Sequence, residues 1–238
     1  MALPRVNEVL KFSLTIPSTG QVVKYRPYLV KEEKVLLQAF ESQDMKASLQ
    51  AMCDTIEACL DDDVNVSQLP TFDLEYMFIK MRGKSVGESS DILIRCKSEE
   101  CAHQNQFTID LEDVDVGKDL PDNMIDITET IIVEMQYPSY SMMMEQGIET
   151  LESETVDTVF DILCGCIAAV HTSDERIDCR EQTKEEVVEF LNSMTATQLK
   201  KLSDFLQQMP SVQYQANFAC QKCGETNELL LKGLSDFF

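Results

Sequence analysis

Two short cysteine-bearing segments constrain this chain more than anything else in it. The first reads Cys96-Lys-Ser-Glu-Glu-Cys101-Ala-His-Gln-Asn105 and the second reads Cys220-Gln-Lys-Cys223-Gly-Glu-Thr-Asn227. In both, the second Cys is followed four residues later by Asn and then by apolar alternation. Alternation with a period of two on either side of a short turn is the pattern of a β-hairpin. Two thiolates on one tight turn point the same way. Two such turns facing each other offer four sulfurs to a tetrahedral ion, with Zn–S distances of about 2.3 Å. The pairs lie more than a hundred residues apart, so they meet only if both hairpins pack together. The expected site is a structural Zn2+ held by Cys96, Cys101, Cys220 and Cys223 in a zinc-ribbon-like arrangement. The bland alternative is a pair of ordinary hairpin turns carrying reduced thiols.

The two halves are unequal. Cys220-x2-Cys223 is followed by Gly224, which can adopt the positive φ that follows a second ligand. Four residues separate Cys96 from Cys101, within the tolerated range, but Ala102 stands where Gly would be easier. His103 offers a substitute ligand, and a solvated turn residue is the simpler reading of it. Cys164-Gly-Cys166 lies in an apolar helical run, where residues two apart do not face each other, so both read as small buried hydrophobes. Cys53, Cys59 and Cys179 read as scattered thiols. Nine Cys is an odd number, and the first residues lack a basic start followed by a long apolar stretch. Reduced thiols or metal ligands are therefore expected rather than a disulfide framework.

The periodicity around these segments predicts one α+β body over residues 1–238, helical with β-hairpins. An N-terminal hairpin spans 11–28, where Phe12, Leu14 and Ile16 alternate, Pro17-Ser-Thr-Gly20 turns, and Val23 and Tyr25 resume. A helical segment follows over 30–84. It comprises Val30–Ser42 with Val35, Leu36, Ala39 and Phe40 on one face, Met45–Leu60, and Phe72–Lys84 with Thr71 as its cap. The first Cys hairpin and a strand at Thr130–Tyr137 occupy 90–138. A second helical segment covers 142–209. Its long first part runs from Met142 to Val170, with Val156, Val159, Phe160, Leu163, Ile167 and Val170 on a common face. Capping boxes at Thr183-Lys-Glu-Glu186 and Thr195-Ala-Thr-Gln198 open its last two helices. The second Cys hairpin and the chain end fill 212–238. The acidic run Leu111–Asp126 is the best candidate for a flexible connection.

Charge narrows the function. Lys and Arg number 20 against 42 Asp and Glu, a net of −22. Such a chain repels phosphate backbones and anionic lipid, which argues against nucleic acid or a membrane as the primary partner. No phosphate-cradling glycine motif occurs. Asp61-Asp-Asp63-Val-Asn65-Val-Ser67 begins like a calcium loop, but Val66 replaces the bend glycine and Phe72 the bidentate Glu, so it reads as a solvated turn. The two His, at 103 and 171, sit in no catalytic motif, and His171 is expected at a helix C-terminus. No residue nominates itself for catalysis, and the chain is read as a non-enzyme. A metal-dependent enzyme is the second reading, although four Cys close a zinc site to water. A thiol redox role for Cys220–Cys223 needs a helix after the motif, and here the motif lies between two strands.

Several segments carry a resemblance. Leu14-Thr-Ile-Pro-Ser-Thr-Gly20 through Lys24-Tyr-Arg-Pro27 and Leu29-Val-Lys-Glu-Glu-Lys34 resembles the T4-like bacteriophage baseplate hub subunit and hub-assembly proteins. So do Asp73-Leu-Glu-Tyr76, Arg82-Gly-Lys-Ser-Val-Gly87, the Cys96–Asp110 hairpin, Phe190-Leu-Asn-Ser-Met-Thr195 and Leu231-Lys-Gly-Leu-Ser-Asp-Phe-Phe238. The resemblance covers most of the chain, is most specific near the N-terminus and is weakest over Met142–Arg180. It implies a non-enzymatic component or assembly factor of a contractile-tail baseplate hub, working through contacts with other phage hub and tail proteins. A transient assembly chaperone is the variant of this reading. The implied setting is the host cytoplasm during assembly and the tail baseplate of the virion. Leu234–Phe238 and Met142-Met-Met144 are the expected contact elements.

Overall fold

The computed structural model describes residues 10–42, 44–117, 121–146 and 156–237. The chain forms two compact units, Met1–Gly117 with Ser211–Phe238, and Lys118–Pro210. It therefore leaves the first unit, builds the second and returns. The sequence carries no Pro-, Gly- or Ser-rich linker that would mark these crossings.

The first unit opens with an antiparallel hairpin of β1 (Phe12–Thr15) and β2 (Val22–Tyr25), in the register Phe12↔Tyr25. Gly20 turns it at φ 69°. Leu14, Val23 and Tyr25 bury one face. Helix α1 (Val30–Glu41) inserts Leu36, but Val35 and Leu37 remain about half exposed, so its apolar face is narrower than the sequence pattern suggests. Helix α2 (Met45–Cys59) is capped by Asp44, whose carboxylate accepts from the Ala47 N–H at 3.2 Å. Helix α3 (Thr71–Ser85) is enclosed: Phe72, Leu74, Met77, Phe78, Ile79 and Met81 are all buried. Thr71 is its first residue rather than its cap. Pro70 holds the cap position and no side chain caps the helix, since Pro at this boundary already sets the entry angle. The turn at Ser18 is tied to this helix by Asp73, which accepts from the Ser18 N–H at 3.0 Å and from the Ser18 hydroxyl. Then come β3 (Ser89–Arg95), β4 (Gln104–Asp110) and β5 (Asp115–Val116).

In the second unit β6 (Met124–Asp126) and β7 (Ile132–Met135) precede α4 (Tyr140–Gln146) and α5 (Val156–Cys166). Strands β8 (Ile167–His171) and β9 (Arg176–Asp178) follow, then α6 (Lys184–Asn192) and α7 (Ala196–Gln207). The antiparallel sheet runs β6-β7-β8-β9. The expectation of helix as far as Val170 is corrected here. The chain leaves the helix at Cys166, and Ile167–Val170 are buried on both faces of a central strand. His171 accordingly ends a strand, its Nε2 2.8 Å from Glu134 Oε2, rather than a helix. Both expected capping boxes form: Thr183 Oγ1 accepts from the Glu186 N–H and Thr195 Oγ1 from the Gln198 N–H, and each N3 side chain returns the bond. Val133, Leu163, Cys166, Leu191, Leu202 and Phe205 make the core. The side chains of Val156 and Val159 lie outside the described residues.

The chain returns to the first unit as β10 (Val212–Ala219) and β11 (Thr226–Lys232), giving a sheet ordered β11-β10-β5. The acidic run is thus not simply a flexible connection. Leu111, Val114 and Val116 are buried and β5 pairs with β10, while 118–120 lie outside the described residues. Both expected contact elements are partly anchored in their own units, and Phe238 lies outside the described residues. Leu234–Phe237 coils as a 3-10 helix with Phe237 fully buried and its carbonyl accepting from Ser90 Oγ at 3.0 Å. Met143 is buried in its own unit's core, with Met142 packed against that core. Among the described residues no helix is long and apolar enough to cross a membrane.

Candidate metal centre

Both Cys turns close the same way. In the first, the Cys96 N–H donates to the His103 carbonyl at 2.8 Å, and Ala102 takes a positive φ of 43°. In the second, the Cys220 N–H donates to the Glu225 carbonyl at 2.8 Å, and Gly224 takes φ 74°. The residue after the second Cys is left-handed in each, so Ala102 carries the strain that Gly224 avoids. Phe107 on β4 packs on Phe218 and Tyr214 of β10, with ring centroids 5.6 and 6.4 Å apart, and so brings the two hairpins together.

The packing gathers all four expected ligands. Cys96 and Cys223 lie 3.8 Å apart at sulfur, as do Cys101 and Cys220, and all four sulfurs fall within 4.8 Å of one another. A tetrahedron with Zn–S bonds of about 2.3 Å has edges of about 3.8 Å. Cys96 and Cys220 are buried, Cys101 is half-buried and Cys223 is exposed. The Cys220 thiol is held down to about 6, foremost by the Cys223 N–H, against desolvation, with the Lys222 N–H adding to it. At Cys223 the Glu225 N–H lowers the thiol, but desolvation and the sulfurs of Cys101, Cys220 and Cys96 raise it to about 12. Four thiolates this close repel one another unless a cation lies among them. The cluster fits a metal ion by both geometry and donor chemistry.

A layer behind the sulfurs was visible in the sequence only as a recurrence. Asn105 and Asn227, each four residues after its second Cys, are 1% and 2% exposed. Asn227 Oδ1 accepts from the Lys97 N–H at 2.7 Å, and Asn105 Oδ1 accepts from the Gln221 N–H at 2.9 Å. Each Asn thus grips the residue after the first Cys of the opposite turn. Its amide nitrogen donates within its own hairpin, from Asn105 to the His103 carbonyl and from Asn227 to the Glu225 carbonyl. The two turns clasp each other reciprocally.

Other candidates separate from the site. His103 is not among the clustered ligands, and its carbonyl serves the turn. Burial pushes the Cys53 and Cys166 thiols up to about 12 and Cys59 to about 11, as expected of packed thiols. Asp61 pairs with Lys11, and Asp62 accepts from the Lys24 N–H, so the acidic turn serves the fold. Among the described residues no other group of three or more metal-type ligands converges.

A family model described as T4 bacteriophage base plate protein matches residues 9–238. No curated protein and no solved structure matches the chain.

Proposed function

The chain belongs to the T4 bacteriophage base plate protein family, and from that premise we propose that it is a non-enzymatic component or assembly factor of the baseplate hub. It works through contacts with other hub and tail proteins, in the host cytoplasm during assembly and in the tail baseplate. The observation that carries this reading is the family match over residues 9–238. The ion at Cys96, Cys101, Cys220 and Cys223 is Zn2+ in this reading. Four soft thiolates on a near-tetrahedral set favour it, and they leave no open position for a reacting water. The metal supports the fold and is not a reaction centre.

Mass spectrometry of purified virions, set beside hub intermediates from infected cells, tests the role. Peptides of this chain in both support a permanent component. Presence in intermediates alone makes it a transient chaperone, and absence from both overturns the hub reading. Elemental analysis of the protein and of a Cys220→Ser variant tests the metal. Zinc and cooperative folding lost together support a structural site, whereas a folded variant that has lost a hydrolytic turnover revives the metal-dependent enzyme.

A further inference from the structure

Among the described residues the N-terminal hairpin has one unpaired main-chain edge, beside a cleft of about 820 Å3. On β2, the Lys24 carbonyl accepts from the Asp61 N–H at 2.9 Å and the Arg26 N–H donates to the Cys59 carbonyl at 3.0 Å. Lys24 and Arg26 therefore face that segment, and Val23 and Tyr25 face β1. Their partners Leu14 and Phe12 use their main-chain groups within the hairpin, so those of Ser13 and Thr15 turn outward. Among the described residues no other strand pairs with β1 and nothing bonds the main chain of Ser13 or Thr15. Both residues are exposed. The continuous run Lys11–Thr15 lines the cleft.

The cleft's lining is rich in lysine. Four of its eleven lining residues are Lys11, Lys24, Lys80 and Lys84, against one carboxylate, Glu112. Lys11 is paired with Asp61, and Lys84 with Glu88 and Glu112. Lys24 has no carboxylate within ion-pair reach among the described residues. Lys80 donates to the carbonyls of Leu111 and Glu112 at 3.1 and 2.6 Å and lies 5.3 Å from the Tyr76 ring, also without a carboxylate partner. An open strand edge offers main-chain hydrogen bonds to an added strand, and the flanking charge selects which strand is accepted.

We propose that the β1 edge takes up an extended, carboxylate-bearing segment of a partner protein as a third strand, with Lys24 and its neighbours in the cleft selecting the acidic sequence. The inference rests on the protein-contact reading only in naming a protein as the occupant. The geometry of the edge stands apart from that reading and from the metal.

The test is hydrogen exchange on the full chain with an acetylated, amidated peptide of alternating Thr and Glu as the probe. At a peptide concentration about ten times Kd, exchange at the Ser13 and Thr15 amides slows about tenfold. A Thr–Lys peptide of the same length binds at least about tenfold more weakly. Ser13→Pro removes an outward N–H that the hairpin does not use, and it abolishes protection at Thr15. Lys24→Glu, an exposed change, weakens binding about tenfold with the hairpin intact. No protection at about 1 mM acidic peptide, or equal binding of both peptides, overturns the proposal. In the first case the lysines merely guard the edge. Recovery of the chain in virions is read separately, so failure here leaves the hub reading standing.

Discussion

At the level of single residues, the identity of Asn105 and Asn227 follows from what each must do. Each is buried and needs one acceptor for the opposite turn and one donor for its own, on a side chain too short to wander. Asp lacks the donor and Leu lacks both. Replacing Asn105 by Leu removes the half-buried bond from the Gln221 N–H, which costs about 0.5–1.5 kcal/mol. Because that N–H adjoins Cys220, the same change is expected to speed metal transfer to a chromophoric chelator, with Asn105→Asp intermediate. Unchanged transfer rates would make the clasp a matter of folding alone. Asp73 makes a different demand. Burial raises its carboxyl from 3.8 to about 6, although the two Ser18 hydrogen bonds pull the other way. The folded state thus holds this proton more tightly than the unfolded chain does. Its favourable contribution is complete below pH 3.8 and is lost as the pH rises through about 6. Glu75, raised to about 7 by burial against a bond from the Leu234 main chain, acts in the same direction. Glu32 opposes them. Although burial works against it, the Arg26 and Leu29 bonds hold it down to about 2, so its contribution is present above 4.5 and lost as the pH falls. Asn can keep the contacts to Ser18 without the charge. Asp73→Asn should therefore gain stability relative to the parent protein between pH 4 and pH 7, read from paired urea midpoints. A constant difference across that range would refute the assignment.

Among the elements, legibility tracked whether the deciding interaction was local. The Thr183 and Thr195 capping boxes, the hairpin at Gly20 and the strand Val212–Ala219 are set by neighbours in sequence, and they stand where the pattern puts them. The Cys turns were readable for the same reason, since two thiols and a left-handed residue within one turn are a local signature. Ile167–His171 was not readable. A continuous apolar run suits a buried helix and a central strand equally, and only its partners β7 and β9 decide between them. Leu111–Asp126 misled in a similar way. Acidic side chains suggest a solvated connection, yet β5 within it is recruited by β10, almost a hundred residues later in the chain. The chain end was undetermined for a third reason: an apolar terminus is equally at home in its own core or on a partner, and the bond that holds buried Phe237 comes from Ser90, far away in sequence. The role of the paired Asn residues lay in plain view as a repeated spacing. Its meaning needed the two turns face to face.

For the molecule as a whole, the four-cysteine cluster joins two stretches of chain that the second unit separates. The first unit is discontinuous, with Met1–Gly117 on one side of Lys118–Pro210 and Ser211–Phe238 on the other. Cys101 and Cys220 are 119 residues apart, and their sulfurs are neighbours. An ion bridging them acts as a cross-link over that loop. By analogy with a disulfide closing a loop of similar length, it restricts the unfolded chain by about 5 kcal/mol. All four cysteines belong to the first unit, while the second has a core of its own around Val133, Leu163 and Leu202. Chelation should therefore act on the two units unequally. Hydrogen exchange after metal removal is expected to rise along β3, β4, β10 and β11, with Phe237 losing its burial as β11 frays. Protection in β7, β8, α6 and α7 should persist. Loss of protection throughout would mean that the units unfold as one cooperative body. Unchanged exchange along the Cys hairpins would mean that the Asn clasp and the Phe107–Phe218 packing hold them without an ion. The clasp and the ion are separable in this experiment, because Asn105→Leu with metal retained weakens the first and leaves the second in place.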